Sequence, residues 1–321
     1  MPNKTVRMEV RYIKCHGSGN EFILFDTVAQ PLDGVALDAL SRAACDRTSG
    51  IGADGIVLLV CHDGQFGMRM FNPDGSEAEM CGNGIRCVAR AAEGYIRSES
   101  FVLTSGGGEF PTQRMEDIYP GIPTYGIDIA VRLTSPDFGF MSEGDESFIG
   151  RTIEALHPEL RFTAINVGNP HIVAEVEHID YALLEELGHR VTELTHLFPR
   201  GINVSLVERR SEQSIFVATF ERGAGITPSC GTAMTSSATA MALVGRCGYD
   251  RPIEVANRGG AVRCLCSHEG GLHTLLAGNA TFTSWGRATC DGTRFEFEEL
   301  GHFDEEVRLY EAFVESLIKL R

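Results

Sequence analysis

The chain lacks the features that mark several large classes of protein. Its 321 residues include only three lysines, Lys4, Lys14 and Lys319, and the formal net charge is −16 at pH 7. Such an acidic chain disfavours binding to nucleic acid or to an anionic membrane, so neither partner is expected. The longest apolar run is about Ile56 to Cys61, far below the roughly 20 residues of a membrane-spanning helix. The first residues contain no apolar signal-peptide core, and the expected location is cytoplasmic.

Metal-binding patterns are also missing. Ten cysteines are present, but no two form a Cys-x-x-Cys pair, and the histidines do not cluster with them. The spacing therefore predicts no metal site. Thiol–disulfide oxidoreductases usually carry their two reactive cysteines two residues apart, so that class is disfavoured. In a reducing compartment the cysteines are expected to be free thiols.

The most informative stretch is a cysteine followed by small residues, Cys81-Gly82-Asn83-Gly84, at the predicted start of a helix. Apolar residues follow it at Ile85, Val88 and Ala92, which is helical spacing. The N-terminus of a helix presents unpaired N–H groups and a partial positive charge, which favour a bound anion and a thiolate. The stretch is weak evidence by itself, because cysteine is often a small buried hydrophobic residue.

The same pattern occurs a second time in the chain, at Cys230-Gly231-Thr232-Ala233. The offset between the two cysteines is 230 − 81 = 149 residues. A constant offset in four separate segments indicates two halves of one ancestral unit. The other pairs with this offset are Asn20 and Asn169, Gly52 and Gly201, and Phe71 and Phe220.

The pattern of strands and helices predicts an α+β fold, of the mixed α/β kind, with two similar domains related by a pseudo-two-fold axis. We expect each domain to be a curved sheet wrapped around a central helix, with the active site in the cleft between them. Residues 1–134 form the predicted N-terminal half, completed by a strand near 275–285, and residues 135–274 form the C-terminal half. Residues 285–321 are predicted to be a helical C-terminal extension. Its amphipathic pattern from about Phe303 favours packing on its own domain over a contact in a homodimer.

Two thiols facing each other across one cleft suit the inversion of a carbon stereocentre. A thiolate removes a proton from one face of the carbon, and the opposing thiol supplies a proton to the other face. N–H groups at both helix starts, those of Gly82, Asn83, Gly231 and Thr232, are candidates to bind a substrate carboxylate as it gains enolate character. Pyridoxal phosphate needs a Schiff-base lysine, and none of the three lysines follows a phosphate-binding loop. No cofactor is therefore expected.

Further polar residues stand in loops beside both cysteines. Arg222 can bind a carboxylate through two hydrogen bonds, and Glu221 can accept from an ammonium group. A single asparagine is usually a turn former, but a set in matching loops of both halves favours ligand binding. His171 is either a residue that tunes a nearby thiol or an ordinary partly buried histidine. The asparagines of the set are Asn20, Asn72, Asn169 and Asn203.

Taken together, these motifs resemble the diaminopimelate epimerase family, whose members interconvert LL- and meso-diaminopimelate without a cofactor, a step in the synthesis of lysine and peptidoglycan precursors. The resemblance spans roughly residues 9–283. The segments that carry it are His16-Gly17-Ser18-Gly19-Asn20-Glu21-Phe22, residues 72–77 with 81–87, Gly168-Asn169-Pro170-His171, Gly201-Ile202-Asn203-Val204, and residues 221–225 with 230–232.

The resemblance implies roles for individual residues. Cys81 and Cys230 would be the two acid/base thiols of an isomerase, and His171 and Glu221 would tune them. The distal amino-acid end of the substrate, which is not inverted, would be held by Asn72, Asn169, Asn203 and Arg222. The reacting end would be held by Asn20, Gly82, Asn83, Glu221, Gly231 and Thr232.

The chain also departs from the family pattern. Glu21 stands where aspartate is usual, Ile226 where glutamate is general, and Pro228-Ser229 replaces a more apolar pair. Ala233 replaces the glycine after Cys-Gly-Thr, and its methyl group is expected to narrow the second anion pocket. The alternative function is racemisation of another amino acid by the same two thiols. A non-catalytic binding protein of this fold is a third hypothesis.

Overall fold

A computed structural model describes residues 8–291 and 293–319. Residues 1–7 of the predicted N-terminal half and residues 320–321 of the predicted extension lie outside the described residues, as does Lys4. The chain forms two compact units. Unit 1 comprises Met1–Ile127 and Gly278–Arg321, and unit 2 comprises Asp128–Ala277. Unit 2 is thus inserted between the two segments of unit 1.

Five helices and nineteen strands are described in these ranges. The helices are α1 Leu37–Cys45, α2 Gly82–Ala92, α3 Tyr181–Glu193, α4 Gly231–Leu243 and α5 Asp304–Lys319. The strands are β1 Met8–Gly17, β2 Asn20–Asp26, β3 Ile56–His62, β4 Gln65–Phe71, β5 Glu77–Ala78, β6 Ser100–Ser105, β7 Gly108–Met115, β8 Thr124–Ala130, β9 Arg151–Thr152, β10 Arg161–Asn166, β11 Pro170–Val176, β12 Asn203–Ser211, β13 Ser214–Glu221, β14 Gly225–Thr227, β15 Ile253–Asn257, β16 Gly260–Ser267, β17 His273–Asn279, β18 Thr281–Asp291 and β19 Arg294–His302.

Unit 1 is a mixed sheet wrapped around α2. Strand β1 pairs antiparallel with β2 on one side and with β18 on the other. Strand β2 runs parallel to β3, β3 antiparallel to β4, and β4 parallel to β6. Helix α2 packs on β1, β2, β3 and β4, and its side chains Ile85, Val88 and Ala89 are completely buried. Helix α1 contributes Leu40 and Ala44 to a second apolar layer with Ile23 and Phe25. Both faces of the sheet are therefore covered.

Unit 2 repeats this arrangement around α4. Strand β11 runs parallel to β12, β12 antiparallel to β13, and β13 parallel to β15. The offset of 149 residues maps β8 onto 124 + 149 = 273 to 130 + 149 = 279, which are the bounds of β17. Helix α4 packs on β10–β13, β15 and β16, and residues 231–242 are all buried. The prediction of two similar units, each a sheet around a central helix, is confirmed.

The compact units differ from the predicted halves at both junctions, since the predicted C-terminal half ends at residue 274 and unit 2 ends at Ala277. The predicted halves meet after Thr134, whereas the compact units meet after Ile127. Residues beyond this point bond to unit 2, because the Val131 N–H donates to the Leu272 carbonyl at 2.9 Å and Arg132 pairs with Asn166. Phe138 and Phe148, which follow Thr134, likewise join the apolar core of unit 2.

The first part of the C-terminal extension differs from its predicted structure. Residues 285–302, predicted to be helical, instead complete β18 and form β19. The stretch Phe295-Glu296-Phe297-Glu298 alternates apolar and acidic residues, which is the period of a strand. The helix predicted from about Phe303 is α5, and it packs on β18 of its own unit. No helix in the described ranges is long and apolar enough to cross a membrane.

Candidate active site

Cys81 occupies the N-cap position of α2. Its backbone is extended, with φ −145° and ψ 113°, and its carbonyl accepts the first intrahelical hydrogen bond from Ile85 at 2.9 Å. Its sulfur accepts a hydrogen bond from the Gly84 N–H at 3.4 Å. The first N–H groups of a helix have no partner within the helix, so those of Gly82 and Asn83 are suited to bind an anion beside the thiol.

Two asparagines and two charged residues form a hydrogen-bonded chain beside Cys81. The guanidinium of Arg86 donates to Asn83 Oδ1 at 3.0 Å, and Asn83 Nδ2 donates to Asn20 Oδ1 at 3.3 Å. Asn20 Nδ2 then donates to Asp54 Oδ2 at 2.9 Å. Asn20 Oδ1 lies 3.9 Å from the sulfur of Cys81. We call Cys81, Gly82, Asn83 and Asn20 the Cys81 half-site.

Cys230 occupies the equivalent N-cap position of α4, with φ −135° and ψ 114°. Its sulfur lies 3.3 Å from the hydroxyl of Thr232, which accepts a hydrogen bond from Asn169 Nδ2 at 3.3 Å. Burial raises the pKa of Cys230 well above its usual value, and the neighbouring Glu221 carboxylate raises it further. The thiol form is therefore favoured until a ligand or a base changes this environment.

His171 lies beside the same group of residues and is completely buried. Its Nε2 is 3.0 Å from Asn169 Oδ1 and 3.4 Å from Asn203 Nδ2. Burial, together with the charge of Arg222, lowers the pKa of His171 to about 3, so the imidazole is neutral near pH 7. A neutral imidazole can accept a proton only if that environment changes on ligand binding.

Arg222 follows β13 and is exposed. Its backbone N–H donates to Asn203 Oδ1 at 2.9 Å, and its guanidinium donates to the Arg200 carbonyl at 2.7 Å. The Arg200 side chain forms two bonds to the buried Asp137. We give the name Cys230 half-site to Cys230 and the predicted site residues of unit 2 near it. They are Cys230, Gly231, Thr232, Asn169, His171, Asn203, Glu221 and Arg222.

Asn72 is the one predicted site residue whose described contacts are those of a turn former. Its Nδ2 donates to Ser76 Oγ at 3.0 Å, and its carbonyl accepts from the Gly75 N–H at 2.9 Å. The buried Ser41 hydroxyl also donates to that carbonyl, at 2.7 Å. These bonds fix the turn between β4 and β5, which leads to Cys81.

The departures from the family pattern have visible consequences. The longer Glu21 side chain reaches both Lys14 at 3.1 Å and Arg47 at 2.7 Å. Ile226 packs on the apolar core of unit 2 and pairs with Phe220 across the strands. The side chain of Ala233 is completely buried in the unit 2 interior. The methyl group of Ala233 therefore packs in the interior of unit 2, and its expected narrowing of the second anion pocket stays a prediction.

Sequence reasoning missed several polar residues around Cys81. Arg86 is completely buried and donates to the carbonyls of Gly82 and Asn279, both at 3.1 Å. Asn279 in turn bonds to His16 and to the Ser18 N–H. The position of Arg86 in a helix of small residues was a usable signal. Asn279 offered none, because it comes 193 residues after Arg86.

Comparison with known proteins places this geometry in a family. The model of the family described as diaminopimelate epimerase matches residues 12–117 and 163–283. A protein named diaminopimelate epimerase from Clostridium acetobutylicum is 36% identical over 315 residues, covering 96% of this chain and 95% of the relative. The chain belongs to the diaminopimelate epimerase family. It is accordingly an isomerase of the epimerase type.

Another relative agrees with this assignment, and a more distant structure shares the fold. A diaminopimelate epimerase from Lactiplantibacillus plantarum is 38% identical over 295 residues, covering 86% of this chain and 88% of the relative. A phenazine biosynthesis protein of the PhzF family from Bacillus anthracis superposes with a TM-score of 0.62 at 16% identity, covering 87% of this chain and 99% of that one. At that identity the likeness concerns the fold alone. Residues 284–319 lie beyond the part that the family model matches.

Proposed function

We propose that the protein interconverts LL-2,6-diaminopimelate and meso-diaminopimelate without a cofactor, using Cys81 and Cys230 as its two acid/base thiols. The observation that carries the proposal is the equivalence of the two cysteines. Each occupies the N-cap of the buried central helix of its unit, and the two are separated by the repeat offset of 149 residues. Membership of the diaminopimelate epimerase family supports the substrate.

The proposed reaction needs only proton transfers. One cysteine, as thiolate, takes the α-proton, so a carbon–hydrogen bond breaks and a sulfur–hydrogen bond forms. The electron pair left on carbon delocalises into the carboxylate, which the N–H groups at the two helix starts stabilise. The other cysteine, as thiol, gives its proton to the opposite face of the carbon. The enzyme finishes with the proton on the opposite sulfur, ready for the reverse reaction.

The polar residues around Arg222 favour diaminopimelate over a simpler amino acid as the substrate. A racemase of an ordinary amino acid needs one carboxylate site at the thiols. The Cys230 half-site additionally joins Arg222 to Asn203, and Asn203 to His171. We propose that Arg222, with Asn72, Asn169 and Asn203, binds the carboxylate and ammonium groups of the second amino-acid end. The product would serve lysine and peptidoglycan precursor synthesis.

The test is exchange of the α-proton in D₂O under reducing conditions, followed by NMR. We expect exchange and inversion of diaminopimelate by the wild-type protein, with inversion lost in Cys81→Ser and in Cys230→Ser. The matched control is Cys61→Ser, a partly buried cysteine of β3 outside both half-sites, which should retain full activity. A fully active Cys81→Ser or Cys230→Ser variant would exclude the two-thiol mechanism.

The same assay distinguishes the alternative substrates. A panel of amino acids with a single α-centre is tested beside diaminopimelate. Exchange of one of these in place of diaminopimelate would keep the mechanism and replace the substrate. No exchange with any compound, together with ligand affinity that survives the loss of either thiol, would indicate a binding protein.

A further inference from the structure

The hydrogen-bonded chain beside Cys81 has a fixed direction. A carboxylate can only accept hydrogen bonds and a guanidinium can only donate them. The Asn20 atom 2.9 Å from Asp54 must therefore be its amide nitrogen. Likewise the Asn83 atom 3.0 Å from Arg86 must be its amide oxygen. The remaining bond, 3.3 Å from Asn83 Nδ2 to Asn20 Oδ1, is consistent with both assignments.

We infer that Asp54 and Arg86 are positioning residues of the Cys81 half-site, which fix the amides of Asn20 and Asn83 so that an oxygen of Asn20 faces Cys81. The two ends are themselves held in place. Arg86 is completely buried, and the carboxylate of Asp54 accepts from the Glu21 N–H at 2.9 Å and from Arg47 at 2.8 Å. Either amide alone is free to rotate by half a turn, but between these two ends only one arrangement satisfies every bond.

The orientation of the Asn20 amide decides whether its oxygen or its nitrogen faces the sulfur of Cys81. An amide oxygen can accept a hydrogen bond from a thiol or from an N–H group of a ligand, and it opposes a thiolate. An amide nitrogen in the same place would donate a hydrogen bond to the sulfur and so favour the thiolate. The Gly84 N–H, which donates to the sulfur, favours the thiolate. The balance between the two forms of Cys81 therefore depends on which way the amide of Asn20 points.

The second half of the repeat lacks both charged ends. With the offset of 149 residues, Asp54 corresponds to 54 + 149 = 203, which is Asn203, and Arg86 corresponds to 86 + 149 = 235, which is Thr235. Asn203 and Thr235 can each donate as well as accept, and the side chain of Asn169 bonds instead to Thr232 and to the neutral His171. The two half-sites thus share a fold but differ in how their amides are fixed.

The test compares Asp54→Asn with Glu21→Gln. Both substitutions remove one carboxylate that pairs with Arg47, but only Asp54 accepts from the Asn20 side chain. The charged or titratable groups that bond to this network or act on its members are Lys14 and His16 of β1, Glu21 of β2, Arg47, Asp54 and Arg86. The rate of alkylation of Cys81 by iodoacetamide is measured against pH by mass spectrometry, with Cys230 in the same sample as internal reference.

We expect Asp54→Asn to move the midpoint of Cys81 alkylation down by about 0.5 to 1 pH unit, because the amide oxygen is no longer held against the sulfur. Glu21→Gln should move it by less than half as much, and Cys230 should not change in either variant. Equal shifts in the two variants would reduce the effect to lost charge and overturn the inference. No shift in Asp54→Asn would overturn it as well.

A measurement on the unmodified protein covers the case in which Asp54→Asn does not fold. In a ¹H–¹⁵N spectrum, a side-chain amide proton of Asn20 should exchange with solvent more slowly than that of an exposed asparagine, because the Asn20 amide donates to the Asp54 carboxylate. Asn20 amide protons that exchange as fast as those of an exposed asparagine would contradict the inference. The catalytic meaning of the orientation rests on the proposed function, but neither experiment needs turnover. Failure of the epimerase assay is therefore distinguishable from failure of this inference.

Discussion

The ring of Tyr310 packs edge to face against the imidazole of His16, with the ring centroids 4.3 Å apart. Tyr310 belongs to α5, and His16 lies at the end of β1, before the turn that carries Asn20. Both side chains are buried. A second contact joins the same helix to α2, because Glu306 accepts two hydrogen bonds from Arg90, at 2.6 and 2.7 Å. The C-terminal helix is thus part of the support beneath the Cys81 half-site.

Replacing Tyr310 by alanine should destabilise unit 1. The substitution removes a buried aromatic ring and leaves a cavity beside His16, which typically costs about 3 kcal/mol of unfolding free energy. Urea denaturation followed by circular dichroism measures the change. Tyr310→Phe is the matched control, since it keeps the ring contact with His16. If Tyr310→Ala were as stable as Tyr310→Phe, the ring contact would contribute nothing to the fold.

Acid should destabilise the protein through His16. Burial lowers the pKa of His16 to about 4, whereas an exposed histidine titrates near 6.5. Between these values the unfolded chain binds a proton that the folded chain does not. Stability that is present above pH 6.5 is therefore lost as the pH falls toward 4, by roughly 3 kcal/mol for this residue.

Urea denaturation at a series of pH values tests this expectation. His16→Gln cannot take up the proton, so its stability should fall less steeply between pH 6.5 and 4 than that of the wild type. His171, which burial also keeps neutral, continues to contribute in the variant. Parallel pH dependences of the wild type and His16→Gln would assign the acid sensitivity elsewhere.

Two substitutions around Cys230 should shift its reactivity in opposite directions. The Glu221 carboxylate raises the pKa of Cys230, and the Thr232 hydroxyl lowers it. Alkylation of Cys230 should therefore begin at lower pH in Glu221→Gln and at higher pH in Thr232→Val. Mass spectrometry of samples alkylated across a pH series gives both midpoints. Shifts of the same sign in the two variants would show that one of these side chains does not act on the thiol as described.

Arg222→Ala tests the binding of the distal end. The substitution removes the charged partner proposed for a substrate carboxylate. It should therefore lower kcat/KM for diaminopimelate by about 100-fold, which corresponds to a loss of close to 3 kcal/mol of transition-state stabilisation. Steady-state kinetics measures the loss. The control is Arg246→Ala, an exposed arginine that pairs with Glu175 on the surface of unit 2 and should leave kinetics unchanged. A near-wild-type rate for Arg222→Ala would remove Arg222 from the site.

Much of the architecture is local enough to be predicted from the sequence. Both helix starts are marked by a cysteine followed by small residues, and a constant offset relates the two halves. The prediction of a helix over residues 285–302 is wrong, because apolar residues alternate with acidic ones around Phe295 and Phe297, and the amphipathic helix begins only at Asp304. Local sequence can be compatible with both a helix and a strand. Residues of β19 form a strand because β18 provides an edge with which they pair.

The support of the Cys81 half-site could not be predicted in the same way. Asp54 was visible only as part of a glycine-rich turn, and its bond to Asn20 joins residues 34 positions apart. Glu306 bonds to Arg90 across 216 positions. Such contacts depend on how distant segments pack, which no local pattern encodes. The described bonds of Asn72 are those of a turn, and its binding of ligand stays a prediction.

The pairing of β1 with β18 also has a consequence for synthesis on the ribosome. Strand β1 ends at Gly17, and β18 begins at Thr281, which is 281 − 17 = 264 positions later in the chain. Because the ribosome adds roughly 5 to 20 residues per second, β18 is made on the order of 10 to 50 s after β1. Unit 2 is continuous in sequence and can fold during that interval. Until β18 has been made, the nascent chain carries an unpaired strand edge, the kind of surface that chaperones protect.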